Sequence, residues 1–165
     1  KYGIKITQRK WMKIFQYLLA TFVASFMLVG CVSKSHLAKK EVSDNAKLFN
    51  KPSDGKAGIY IYRIVSPGGQ FEMDLFIDDK FIASSYSNMF YYLEVDGDKE
   101  YKISTESVLS PNHIFLKAEK NKLYFIRHLT VPGFFPHPAY LKVASEEDGK
   151  NSILNNDMKL GNIFK

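Results

Sequence analysis

From Ala57 onward the chain is written in short apolar and aromatic runs, each stopped by Gly, Pro, Asp, Asn or Ser. Such runs are too short for amphipathic helices and carry the period of two expected of strands. Ala57 to Val65 sets Ile59, Ile61 and Val65 against Tyr60, Tyr62 and Ile64, and Ser66-Pro67-Gly68-Gly69 ends it. Phe71 to Ile77 alternates Phe71, Met73, Leu75 and Ile77 against Glu72, Asp74 and Phe76, and Asp78-Asp79 makes a tight turn into Lys80 to Ser84. Met89 to Val95 follows, with Asp96-Gly97-Asp98 reading as a hairpin into Tyr101 to Thr105. His113 to Ala118 and Leu123 to Leu129 flank a short turn, Ala139 to Ala144 closes the series, and Ser145 with Glu146 and Glu147 starts a short C-terminal helix. Seven or eight strands with closely spaced turns predict an all-β fold, an antiparallel sandwich of Ig-like or transthyretin-like kind. Two packed sheets bury one face of each strand, which leaves Tyr60, Tyr62, Phe76 and Tyr92 partly outside.

The first thirty residues follow another rule. Lys10 and Lys13 precede Ile14 to Val29, an apolar run without a charge, and Gly30 separates it from Cys31, the single cysteine of the chain. Leu28-Val29-Gly30-Cys31 resembles the lipobox of bacterial lipoproteins. The resemblance implies recognition of Leu28, Val29 and Gly30 by lipoprotein signal peptidase and cleavage before Cys31. It also implies a diacylglycerol on the Cys31 sulfur and an N-acyl chain on its amine. In that scheme Val32, rather than Asp, after the cysteine favours the outer membrane, with the domain facing the periplasm. Met12 offers a natural start for such a signal helix. The alternative is an uncleaved single-pass anchor, since Ile14 to Gly30 is 17 residues, at the lower edge of a membrane span. Basic residues before the run export the remainder in either case.

The charge belongs to that segment. The chain carries +6, but Lys1, Lys5, Arg9, Lys10 and Lys13 all lie in residues 1–30 with no acid among them. Without those five, the 23 lysines and arginines fall to 18 against 17 acids, a net of +1. No basic stripe with interleaved aromatics remains, so nucleic acid is not an expected partner. A lipidated lone cysteine leaves no disulfide, and the core alone holds the fold. The expected organisation is a signal peptide over 1–30, a flexible tether over 31–55, a β-sandwich over 56–156 and a tail over 157–165. Within the tether, Leu37 to Leu48 carries a short helical pattern, and its lysines suit lipid headgroups.

Gly55-Lys56-Ala57-Gly58-Ile59-Tyr60-Ile61-Tyr62-Arg63 is similar to the opening of a bacterial lipoprotein domain of unknown function, number 2846. The likeness continues through the Ile77-Asp78-Asp79-Lys80 turn, the aromatic strand Met89 to Leu93, Gly97, Lys122 to Arg127 and Leu141 to Gly149. Asp79 stands where the family usually has Gly, and Asp96 where Pro is common. The resemblance implies an exported, lipid-anchored β domain and supplies no catalytic residues.

No chemistry-bearing motif stands out. His36, His113, His128 and His137 lack the close spacing of a metal site, and no Gly-x-Ser-x-Gly elbow or phosphate-cradling glycine loop occurs. Asp78-Asp79 and Glu146-Glu147-Asp148 suit turns and helix capping. Arg63 and Arg127 are expected to pair across strands with Glu72, Asp74 or Glu94. Val131 to Pro138 holds three prolines with Phe134, Phe135 and His137, and an apolar loop of this kind is a candidate partner contact. The expectation is a non-enzymatic envelope module with no metal or cofactor beyond its acyl chains, bound to the membrane and to an envelope protein. A periplasmic enzyme with an unrecognised site is the remaining alternative.

Overall fold

The computed structural model describes residues 36–65, 71–107, 112–131 and 138–164. Among them run nine strands: β1 (Lys56–Arg63), β2 (Met73–Ile77), β3 (Lys80–Ser85), β4 (Met89–Asp96), β5 (Lys99–Thr105), β6 (His113–Ala118), β7 (Leu123–Thr130), β8 (Ala139–Ala144) and β9 (Lys159–Leu160). Two helices accompany them, α1 (Lys40–Ala46) before β1 and α2 (Glu146–Asn155) between β8 and β9. The strands form two sheets, β8-β7-β1-β4-β9 and β3-β2-β5-β6. The two-sheet β domain is as expected.

The purely antiparallel arrangement is not. The larger sheet is mixed, because β7 lies parallel to β1 and β9 parallel to β4. Asp96-Gly97-Asp98 explains the first of these. It is a corner between the sheets and not a hairpin, since β4 pairs with β1 while β5 pairs with β2 and β6. Its amides are taken by other elements: Gly97 N–H donates to Gly55 O at 2.9 Å and Asp98 N–H to Ala118 O at 2.6 Å. A Cβ on Gly97 would stand 2.7 Å from Lys120 Cα. The β6–β7 turn recrosses at the same end, where Asn121 N–H donates to Lys56 O at 2.7 Å. Strands β1 and β7 therefore start side by side and run the same way. The Ile77-Asp78-Asp79-Lys80 turn is a true hairpin, with φ of 49° and 61° at its two aspartates, the left-handed pair that a two-residue loop needs. Asp79 holds that geometry without glycine because Asp78 Oδ1 accepts from Lys102 N–H at 3.0 Å and Lys102 Nζ meets Asp79 Oδ1 at 2.8 Å.

Alternate residues of β1 enter two different cores. Ile59 and Ile61 join Leu75, Ile103, Tyr91, Leu116 and Ile126 between the sheets. Tyr60 and Tyr62 join Phe90, Phe125, Ile153, Met158 and Leu160 on the other side. The expectation that these tyrosines stay partly outside is wrong: both are about as buried as Ile59. A third layer covers them, built from the segments read as tether and tail. From His36 onward the presumed tether is ordered. Ala38 N–H donates to Leu160 O at 2.9 Å, Asn162 N–H to His36 O at 2.8 Å, and Ser43 Oγ accepts from Leu160 N–H at 3.1 Å. Tyr60 Oη donates to Ala46 O at 2.8 Å, fixing α1 over the sheet. The presumed tail supplies β9 at the edge of β4 and then reaches the other sheet, where Phe164 N–H donates to Ile82 O at 2.8 Å. The lysines read as headgroup contacts are partly engaged within the fold, Lys40 with Asp44 and Lys47 with Asp157.

The C-terminal helix begins where expected, with Ser145 Oγ accepting from Asp148 N–H at 3.1 Å. Its Gly149 lies on Phe125, and an added Cβ would meet the ring at 2.3 Å. In an exposed helix Gly→Ala stabilises by about 1 kcal/mol. Here overpacking reverses the sign, and Gly149→Ala lowers the stability measured by urea unfolding by about 1–3 kcal/mol.

Candidate functional site

The inward-facing rows between the sheets are apolar over most of their length and turn polar at one end. Arg63 ends β1 after Ile59 and Ile61, Ser85 ends β3 after Ala83, Thr105 ends β5 after Ile103, and His128 follows Ile126 on β7. All four are buried. His128 Nδ1 lies 3.0 Å from Ser85 Oγ and its Nε2 3.0 Å from Thr105 Oγ1. A neutral imidazole has one donor and one acceptor nitrogen, so one hydroxyl receives a proton from the ring and the other gives one. Arg63 Nη1 donates to Phe71 O at 2.7 Å and to Ser85 O at 2.9 Å, clamping the chain before β2 to the end of β3.

Burial, with the nearby Arg63 charge, pushes the His128 pKa down to about 3. The ring is therefore neutral at physiological pH. A serine hydroxyl beside a histidine nitrogen is half of a nucleophile–base pair, but the third member, a carboxylate on the far ring nitrogen, is replaced by Thr105. Ser85 is also closed off from solvent. What this constellation does chemically is hold β3, β5 and β7 together while satisfying every polar atom of the imidazole.

A second polar group sits where the described chain begins. Tyr86 Oη donates to Glu72 Oε2 at 2.7 Å and lies 3.3 Å from His36 Nε2, with the His36 and Tyr86 rings 4.7 Å apart. Burial and the Glu72 hydrogen bond raise the Tyr86 pKa to about 12. Hydrogen bonds from the Ser84 and Tyr86 side chains hold the Glu72 carboxyl below its usual range. The three residues fasten the chain at His36 to the sandwich.

Leu28, Val29, Gly30 and Cys31 lie outside the described residues, as do Phe134, Phe135 and His137. Among the described residues no helix is long and apolar enough to cross a membrane, and no three His, Cys, Asp or Glu side chains gather as a metal site. The cross-strand ion pairs expected of the two arginines are not the ones formed. Arg63 meets carbonyls, Glu94 Oε1 accepts from Ser53 N–H at 3.1 Å and Tyr92 Oη at 2.9 Å, and Asp74 Oδ1 accepts from Ser84 Oγ at 3.0 Å. Arg63 points between the sheets and donates there to the carbonyls of Phe71 and Ser85. The sequence marks the buried Ser85 and Thr105 only as hydroxyls at inward strand positions.

The His128 environment makes stability depend on pH. Above about pH 6.5 the ring is neutral both folded and unfolded. Below that, the unfolded chain takes up a proton that the folded core refuses until about pH 3. Its contribution is fully present above the unfolded pKa and is lost as pH falls, with a limiting slope of about 1.4 kcal/mol per unit. Urea unfolding from pH 7 to 4 should show this limb, and His128→Gln should flatten it while costing about 1–3 kcal/mol at pH 7. An unchanged slope in the variant would assign the limb to other groups.

A family model described as "Protein of unknown function (DUF2846)" matches residues 53–141, the stretch from just before β1 into β8. An uncharacterized protein of Haemophilus influenzae is 40% identical over 134 residues, covering 81% of this chain and 79% of that protein. The matched stretch contains Arg63, Ser85, Thr105 and His128, and so the whole polar end of the core. The chain belongs to the DUF2846 family.

Proposed function

We propose that this protein is a lipid-anchored lipoprotein of the cell envelope whose β domain binds or organises other envelope components and catalyses no reaction. The observation that carries the reading is the run Leu28-Val29-Gly30-Cys31 at the end of an uncharged apolar segment with basic residues before it. Cleavage before Cys31 makes it the first residue of the mature chain. A thioether diacylglycerol with an N-acyl chain supplies more acyl anchors than stable attachment needs. Val32 after the cysteine favours the outer membrane, with the domain on the periplasmic side. A non-catalytic role agrees with a Ser85–His128 pair that is closed to solvent and lacks a carboxylate. The sandwich then serves as Ig-like and transthyretin-like domains do, as a rigid carrier of a recognition surface, with Phe134, Phe135 and His137 as candidate partner contacts.

Intact mass of the membrane fraction tests the anchor, using the wild type and Cys31→Ser with a C-terminal tag. A wild-type product beginning at Cys31 with added acyl mass, absent from the variant, is the expected outcome. Full-length unmodified chains from both would make residues 14–30 an uncleaved anchor instead.

A further inference from the structure

The described domain starts close to the proposed lipid. Five peptide steps separate Cys31 from His36, about 17 Å at full extension whatever their path. A domain of this length has a radius of gyration of about 14 Å, so its diameter is roughly twice the leash. An acyl anchor at Cys31 therefore holds the side of the domain around His36 against the bilayer and keeps the opposite side away.

That side carries exposed apolar side chains beside the polar group of His36, Tyr86 and Glu72. Leu37 is 47% exposed and pairs with Gly161, and Asn162 holds His36 through its backbone. Two residues on, Phe164 packs on Phe81, which is 40% exposed, with ring centroids 5.6 Å apart. Phe81 in turn packs on Phe76 at 6.1 Å. Through Tyr86, His36 also reaches Glu72, whose neighbour Phe71 is 49% exposed. Phe71 is not swinging free, because Arg63 grips its carbonyl. Leu37, Phe71 and Phe81 are thus each linked to the point where the chain joins the domain, Leu37 directly, Phe71 through Glu72 and Tyr86, and Phe81 through Phe164. The Glu72 charge among them is already hydrogen-bonded to Tyr86.

We propose that this surface docks on the lipid bilayer, with Leu37, Phe71 and Phe81 inserted at the headgroup–acyl boundary and the domain held in one orientation. The proposal rests on the lipoprotein reading and adds a fixed pose to it. Apolar insertion at the interface needs no charge complementarity, so it persists at high salt.

The chain's one tryptophan, Trp11, precedes Cys31 and leaves with the signal segment. Phe71→Trp, Phe81→Trp and Val143→Trp each place a single tryptophan in the mature protein. Val143 lies on β8, four strands from β9 across the larger sheet, about 19 Å away. The full-length gene products, matured in the membrane and reconstituted in phosphatidylethanolamine–phosphatidylglycerol vesicles, are read by quenching from lipids brominated near the headgroup end of their acyl chains. Intact mass is measured on the same samples. With the mass of an acylated chain starting at Cys31, Phe71→Trp and Phe81→Trp should lose most of their emission and Val143→Trp little, at low and high salt alike. The same mass with equal quenching at all three positions, or none at Phe71 and Phe81, overturns the docking pose and leaves the anchor standing. The mass of an unmodified full-length chain overturns the anchor and the docking pose with it.

Discussion

Strand β1 is buried on both faces, and each layer of the domain is positioned by one of them. Its even-numbered tyrosines support the helical layer and its odd-numbered isoleucines fill the space between the sheets. A central strand flanked by β4 and β7 has no free edge, and a strand covered on both faces reads as a continuous apolar run. Gly58 fits this position because its neighbours crowd in: a Cβ there would stand 2.6 Å from the Leu123 side chain. The one buried charged residue of the strand, Arg63, is tolerated at its end because main-chain carbonyls of two neighbouring segments accept its hydrogen bonds. A guanidinium is well suited to that task, being a rigid fork of donors that keeps its charge.

The sequence makes most of the strands visible and little of their assembly. All eight strands from β1 to β8 lie within a few residues of where alternation and turn residues put them. Alternation says that residues i and i+2 share a face. It does not say which sheet a strand joins, and so Asp96-Gly97-Asp98 passes for a hairpin when it is a crossing. The packing of the helical layer is hidden for another reason. Helix α1, at Lys40–Ala46, falls within the helical pattern of Leu37 to Leu48, but its N-cap, Lys39, has no capping side chain, and nothing local says that it packs on the sheet. Its stability comes from contacts with Tyr60 and Leu160, which are remote in sequence. Helix α2 shows itself because Ser145 caps it locally. The polar end of the core falls between: His128 and Arg63 are conspicuous in apolar strands, but their partners Ser85 and Thr105 look like ordinary strand hydroxyls.

Charge does little to hold the domain together. Lys56–Asp96, Lys99–Asp96, Lys120–Asp98 and Lys122–Glu119 crowd the end where the chain twice crosses between sheets, and all are exposed to solvent. Exposed pairs of this kind contribute between nothing and about 1 kcal/mol each. The same corner holds three main-chain hydrogen bonds, from Gly97, Asp98 and Asn121, between segments far apart in the chain. Those bonds fix the crossing, and the ion pairs decorate it. At the opposite end the roles are reversed, with side chains from His128 and Arg63 completing what the backbone leaves open.

Strand β9 is only two residues long, yet its position after all eight other strands in chain order governs when the domain can close. A polypeptide emerging from a ribosome or a translocation channel exposes β1 to β8 well before it delivers Met158 and Leu160. Until then β4 lacks its neighbour, the tyrosines of β1 are uncapped, and residues 36–38 have nothing to pair with. The first and last parts of the described chain meet only after everything between them has been made. Such a topology locks late, once its final strand has been made.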